Sequence, residues 1–499
     1  MLLPPLFAAP TRPTRRIARL GFALAALWTL AGCATLDLEP KGAGGTPITG
    51  SPVEAPRTLG LETPVSAEQK RLTAMFGGRY VFPAAEDYLN SVLAKLAAAG
   101  DKPSQAYRVT ILNSPVVNAF ALPSGDLFVT RGLLALANDT SEVAAVMAHE
   151  IGHVTAGHAQ ARAETEKQHQ LIRKASEAFQ GKERGAQIQN VNLVSFANFS
   201  RQQEFEADQI GVRTIAAAGY DPYGAERFLS SLGRSIALRA SMFNQKQADK
   251  PDLMSTHPST PERIQRAVAA ARQIGAPGIG AAARNEYLAA INGMDFGDDP
   301  TDGVIRGRRF QHPRFGFGFE APEGFVLENT PQAVLGVADG GSRALRLDSV
   351  HVGGDTALDA YLASGWIEGL QLSSIQSTTI NGLPAATATA RSGEWSFRVA
   401  VFRLGTDVYR MIYATRELTE PTDARFRESI GTFRRISSDE ASRLRSLRLS
   451  IVVSEGEAAR AMAARMAIPD RPLEQFLLLN GLERDGPLKA GERYKIVIE

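Results

Sequence analysis

The chain reads as an α+β protein: a mainly helical first region built around a small sheet, then an α/β module, then a small βααβ module. Three observations predict this. Residues 65–275 alternate helical patterns with one clear strand region, Tyr107 to Val129. Residues 276–302 are rich in Gly and Ala near their start and in Gly and Asp at their end, which predicts a linker. Beyond residue 303 short apolar runs are separated by turn residues, the pattern of strands.

The first 32 residues are expected to be a leader. Arg12, Arg15, Arg16 and Arg19 precede an uncharged stretch, Leu20 to Gly32, too short to span a bilayer and of signal-peptide length. It ends Leu30-Ala31-Gly32-Cys33, which resembles a bacterial lipobox. That resemblance implies cleavage before Cys33, lipid on Cys33, and the periplasmic face of the outer membrane, because Ala34 stands at the next position. Cys33 is the only cysteine, so no intramolecular disulfide forms and no thiolate binds metal. Residues 33–64 then read as a Pro/Gly/Thr-rich flexible tether. Removing the leader takes away four arginines and no acid, moving the net charge from +2 to −2. That balance gives no electrostatic case for nucleic acid. The later chain has no run of eighteen apolar residues, so it is expected to be anchored to a membrane and not to span it.

Residues 149–153, H-E-I-G-H, carry the chemistry. On a helix His149 and His153 lie one turn apart on one face and can reach a single metal ion, with Glu150 beside it as general base. Asp139 or Thr140 can cap that helix, and Glu142 stands where a capping box would return to Asp139. Val143, Val146, Met147, Ile151 and Val154 give the helix an apolar stripe. The bland reading is an amphipathic helix that happens to hold two histidines.

A catalytic zinc ordinarily takes a third protein ligand. Ala156 and Ala159 occupy the positions where a metzincin needs glycine and histidine. On a straight continuation His158 would fall on the far side from His149, as a surface histidine or one behind the ligands. Glu204 and Asp208, four apart in S-R-Q-Q-E-F-E-A-D, share a helix face. Glu204 can bind zinc while Asp208 accepts the N–H of a ligand histidine; Glu206 would point to solvent. An exposed charged helix is the plainer alternative.

Together H-E-I-G-H-V-T-A-G-H, E-F-E-A-D and Asn118-Ala119-Phe120-Ala121-Leu122-Pro123-Ser124-Gly125 resemble the gluzincin peptidases that include the CAAX prenyl protease, HtpX and BepA. The resemblance covers residues 65–275. It implies one Zn2+ per chain on His149, His153 and Glu204, with Glu150 as base and Asp208 behind His149. It also implies that Asn118, Ala119 and Phe120 lie on an edge strand where an extended substrate adds by β-augmentation. Ser255-Thr256-His257-Pro258 matches a segment of the BepA-type relatives whose histidine closes over the metal, so His257 is expected at the site, displacing water or polarising the reacting carbonyl. Arg263, at the start of the next helix, could bind a carboxylate, but a surface arginine is the favoured expectation.

After the linker, residues 303–437 faintly resemble PsbP-like α/β modules. Ser396 to Phe402 and Val408 to Thr415 should pair through a Gly405-Thr406-Asp407 turn, with a helix from Thr422 to Gly431. Residues 448–499 resemble LysM, a module that binds N-acetylglucosamine polymers, although Ala458 replaces the usual capping hydroxyl. Three functions from different classes follow: a zinc metalloendopeptidase acting on unfolded or misassembled envelope proteins, a chaperone-like outer-membrane assembly factor with a latent site, and a peptidoglycan-binding scaffold. The full set of ligands and base favours the first. The second transfers poorly, because no tetratricopeptide array is visible after residue 300.

Overall fold

The computed structural model describes residues 64–162, 164, 200–242, 257, 260–330 and 333–499. The leader, Cys33 and nearly all of the tether lie outside the described residues, as does Pro258. No described helix is long and apolar enough to cross a membrane.

Helices α1 (Pro64–Met75) and α2 (Pro83–Ala99) precede three strands, β1 (Arg108–Leu112), β2 (Ala119–Ala121) and β3 (Asp126–Thr130). The sheet order is β1-β3-β2, with β1 parallel and β2 antiparallel to β3, so β2 is the edge. Its Phe120 ring packs 4.9 Å from Phe128 and 5.4 Å from Phe76. A short helix α3 (Arg131–Leu136) follows without a break, capped by Thr130, and leads into α4 (Thr140–Thr155), the motif helix. Then come α5 (Arg201–Ala217), α6 (Gly224–Met242) and α7 (Pro261–Ile274).

Residues 276–302 do not behave as a linker. They form α8 (Arg284–Ile291) and β4 (Asp295–Phe296), and Tyr287, Leu288, Ile291 and Met294 are wholly buried in the same core as α4. Tyr287 donates its hydroxyl to the Leu134 carbonyl at 2.6 Å. Local Gly and Asp content concealed a helix only eight residues long that buries Tyr287, Leu288, Ala290 and Ile291.

The middle region, 304–435, carries a seven-stranded antiparallel sheet and a separate four-stranded sheet. Its expected hairpin is β5–β6 (Trp395–Leu404 and Asp407–Thr415), with Ser396 opposite Thr415. The helix expected at 422–431 spans Glu420–Gly431 and buries Phe426 against Tyr413. The last region runs strand, helix, helix, strand: Leu447–Val453, Ala459–Ala463, Pro472–Leu479 and Arg493–Ile498, the two strands pairing antiparallel. Its first strand also pairs with β4, and its Leu449, Met462, Phe476 and Val497 join the core of the peptide segment 85–294.

One contact fixes that union. Lys495, fully buried, sends Nζ to the carbonyls of Ala135 at 2.7 Å and Ala137 at 2.6 Å, where α3 ends without intrahelical partners. Both appended regions also grip α6: Arg234 donates to the Leu482 carbonyl, Arg471 to the Ser241 hydroxyl, and Arg239 to Glu328.

Candidate active site

Helix α4 begins where Asp139 accepts the Glu142 amide at 3.0 Å. Glu142 does not return to Asp139: its carboxylate takes the Asn138 amide at 2.9 Å, one residue earlier than the capping-box expectation. Val143, Met147 and Ile151 are buried in the core, whereas Val146 and Val154 are only half-buried and face cavities beside the site. Helix α5 starts with a capping box, Ser200 Oγ taking the Gln203 amide and the Gln203 side chain taking the Ser200 amide. This sets the register that presents Glu204 and Asp208 to α4. The two helices approach closely through glycine. A Cβ on Gly152 would stand 3.2 Å from the Ala207 backbone, and one on Gly211 would stand 3.2 Å from the His149 nitrogen.

The crossing brings His149, His153, Glu204 and His257 together, with one donor atom from each inside 4.8 Å of the others. His149 Nε2 lies 3.0 Å from His153 Nε2 and 3.2 Å from His257 Nδ1. Glu204 Oε1 lies 2.8 Å from His257 Nδ1 and 3.5 Å from His153 Nε2. Four donors around one zinc stand roughly 3.3 Å apart by tetrahedral geometry, so the cluster has the size of a zinc site. Its charge also fits. Arg263 is paired with the buried Glu204 and Asp208, and Glu150 lies beside them, so the site is rich in carboxylates that a divalent cation would offset.

Protonation states point the same way. Burial presses the His153 imidazole down to about 3, so the ring is neutral, the form that binds a metal. Burial alone would raise Glu204, but hydrogen bonds from His153 and His257 outweigh it and hold the carboxyl well below the usual range. Glu150, by contrast, is pushed up by burial. It stands beside the cluster, Oε1 3.6 Å from His257 Nε2, and makes no part of the four-donor set.

Asp208 Oδ1 lies 2.9 Å from His149 Nδ1, the ring nitrogen turned away from the cluster. Burial raises this carboxyl too, but Arg263 and His149 bring it down to about 2. Arg263 corrects the sequence expectation. It is buried, with Nε and Nη2 on the two Asp208 oxygens at 2.8 and 2.7 Å and Nη1 on Glu204 Oε2 at 2.8 Å. A signal was present in the sequence: it falls in the first turn of α7, after the Thr260 cap, where a cation opposes the helix dipole unless a carboxylate faces it.

His158 differs from a straight-helix extrapolation. Helix α4 stops at Thr155, and Gly157 turns the chain at φ +69°, so His158 is buried with Nδ1 2.9 Å from His153 Nδ1. Its other nitrogen is 3.4 Å from Glu206, whose carboxylate is half-exposed. Asn118 and Phe120 line a cavity of about 340 Å³ that also reaches Glu150, His153 and His257.

An H-E-x-x-H helix crossed by a second helix bearing glutamate is the framework of a gluzincin-type metallopeptidase. Residues 83–271 match the model of Peptidase family M48, and this part of the chain is a Peptidase M48 domain. Among curated relatives, the mitochondrial metalloendopeptidase OMA1 of Arabidopsis thaliana is 33% identical over 160 residues, covering 32% of this chain and 30% of that one. The beta-barrel assembly-enhancing protease of Escherichia coli K12 is 27% identical over 218 residues, 42% of this chain and 43% of that one. The chain thus spans less than half the length of each of these two relatives. Among solved structures, cyanobacterial PsbP from Synechocystis aligns over 28% of this chain and 96% of its own, at 14% identity and a TM-score of 0.20, a score too low to bear on fold or function.

Proposed function

We propose that the chain is a membrane-anchored zinc metalloendopeptidase that hydrolyses peptide bonds of unfolded or misassembled envelope proteins. The observation that carries this reading is the convergence of His149, His153 and Glu204 beside a carboxylate, Glu150, that is left out of the donor set. A zinc ion held by those three residues supplies a Lewis acid for the peptide carbonyl and lowers the pKa of water towards neutrality. Glu150, raised by burial, takes the proton of the attacking water and returns it to the leaving amine. Asp208 fixes the tautomer of His149, and Arg263 fixes Asp208 and Glu204 together. A substrate strand adds to β2, the edge strand among the described residues, at Asn118, Ala119 and Phe120, and so passes Glu150.

His257 acts as a resting-state plug in this account, because its Nδ1 occupies a place among the donors. Lipid on Cys33 holds the chain at the periplasmic face of the outer membrane, and residues 448–499 supply a peptidoglycan contact. The name of one relative, a beta-barrel assembly-enhancing protease, supports the envelope as the place of action. An assembly-factor role with a latent peptidase is favoured only by the position of His257.

The test is a comparison of envelope proteomes from cells carrying the native chain and a Glu150→Gln trap. Envelope proteins should accumulate or co-purify with the trap. Identical proteomes and an empty trap would contradict the reading.

A further inference from the structure

The seven-stranded sheet of the middle region has two edges of different character. At one, strand Val326–Asn329, Glu328 accepts from Arg239 at 2.7 Å, and Asn329 donates to the carbonyls of Asp302 and Gly303. A charge and a neighbouring segment thus blunt that edge. At the other, strand Gln376–Ile380 pairs inward with Leu383–Ser392, and among the described residues no strand lies on its outer side. Gln376, Ser377, Thr378 and Thr379 are all exposed. Residues 369 to 390 hold no charged side chain, in a chain of which 22% is charged. Neither a charge nor a proline within Gln376–Ile380 keeps another strand away.

The edge is also held in place. Asn381 and Gly382, at φ +48° and +78°, form a two-residue hairpin turn. Asn381 Nδ2 pins that turn by donating to the carbonyls of Gly431 at 2.7 Å and Phe433 at 2.9 Å. An edge fixed in advance loses little freedom when a partner arrives. The turn also decides which backbone groups face out. Ile380 and Leu383 close the hairpin, so their amides and carbonyls face each other. By the alternation of an antiparallel ladder, those of Thr378 and Gln376 face inward too, whereas Ser377 and Thr379 present theirs outward.

We infer that Gln376–Ile380 is a self-association edge, at which two copies of this chain pair antiparallel about Thr378 and join their sheets into one. A two-fold axis through Thr378 sets Ser377 of one copy opposite Thr379 of the other, and each such pair exchanges two backbone bonds. Thr378 meets its own counterpart at a Cα separation of about 4.5 Å. The hydroxyl side chains facing one another across this seam are of a kind that favours pairing. The edge carries no charge with which to choose a foreign strand. Because the opposite edge is blunted, like pairs with like, and the contact closes at a dimer and does not run on into a fibre. The seam is five residues long, well short of a permanent interface, so association is reversible and set by concentration.

Sedimentation velocity of the full chain in density-matched detergent, between about 1 and 200 µM, tests this. The native chain should pass from monomer to dimer as concentration rises and go no further. Thr378→Lys sets two ammonium groups face to face in the dimer, and Thr378→Asp two carboxylates; each should weaken association about tenfold or more. Mixed one to one, these two variants should associate within about threefold of the native chain, because position 378 meets itself. Thr379→Pro removes an outward amide, leaves the inward ladder intact, and should weaken association by a similar factor. Three results overturn the inference: a native chain that stays monomeric, association unchanged in variants that melt like the native chain, or a Lys–Asp mixture that associates no better than either variant alone. Monomers throughout would assign the edge to another occupant, a segment of this chain or a foreign strand.

Discussion

Replacing Lys495 by methionine tests whether the last region is part of the catalytic unit. Methionine keeps the length and apolar contacts of the stem and removes the donors. The Ala135 and Ala137 carbonyls, bonded at 2.7 and 2.6 Å, are then buried without partners. Each such group costs about 1–3 kcal/mol, which gives a gross loss of roughly 2–6 kcal/mol. Set against this is the relief of no longer burying a lysine, a burial that drives its pKa well below the ordinary value. The net expectation is a loss of about 3 kcal/mol, or roughly 6–12 °C in Tm for a unit of about 250 residues. Because Leu449, Met462 and Phe476 share the core of Val143 and Met147, the loss should appear in the same transition that releases zinc. Calorimetry of the zinc-loaded chain, with zinc release followed by a chromophoric chelator, measures both. A shift corresponding to less than about 1 kcal/mol, or a separate early transition confined to residues 447–498, would refute the reasoning.

Three further outcomes are expected. Burial first, and then Asp139, raise the Glu142 carboxyl to about 7 against the Asn138 amide, Arg227 and Lys495. A folded pKa above the ordinary 4.5 gives stability that is complete below about pH 4.5 and lost as pH rises through about 7; Glu142→Gln should flatten that slope, at most about 1.4 kcal/mol per pH unit, in urea melts between pH 5 and 7. Arg263→Ala leaves two buried carboxylates without their cation and should cost the chelator-treated chain about 3–5 kcal/mol, part of it restored by zinc; an unchanged melt in chelator contradicts this. His257→Ala should raise peptidase turnover with zinc content still near one per chain, and a fall in kcat at constant KM would assign His257 to the oxyanion instead.

What could be read from the sequence was what local spacing encodes. His149, Glu150 and His153 sit on one helical turn, and Glu204 and Asp208 on another, so periodicity alone grouped them. The β5–β6 hairpin was legible for the same reason, since a Gly405-Thr406 turn fixes its register. Contacts between distant segments were not legible. Arg263 reaches α5 only after the chain has turned through α6, and Lys495 reaches α3 from more than 350 residues away. The 276–302 stretch misled because composition reports turns, whereas Tyr287 and Met294 report a core that only tertiary packing creates. For His158 the sequence left two places open, the surface or behind the ligands; the turn at Gly157, where φ is positive, puts it in the second, against His153. The pairing of Gly152 and Gly211 at the helix crossing likewise needs both helices in place before it means anything.

The central claim, that Glu150 works as a base beside a metal held by other residues, has one direct measurement. Purified native chain, Glu150→Gln and His149→Ala are compared for bound zinc by mass spectrometry and for cleavage of unfolded casein. The account predicts about one zinc per chain and cleavage for the native protein, full zinc with cleavage reduced at least 1000-fold for Glu150→Gln, and loss of both for His149→Ala. Cleavage by Glu150→Gln at the native rate, or zinc loss equal to that of His149→Ala, would contradict it.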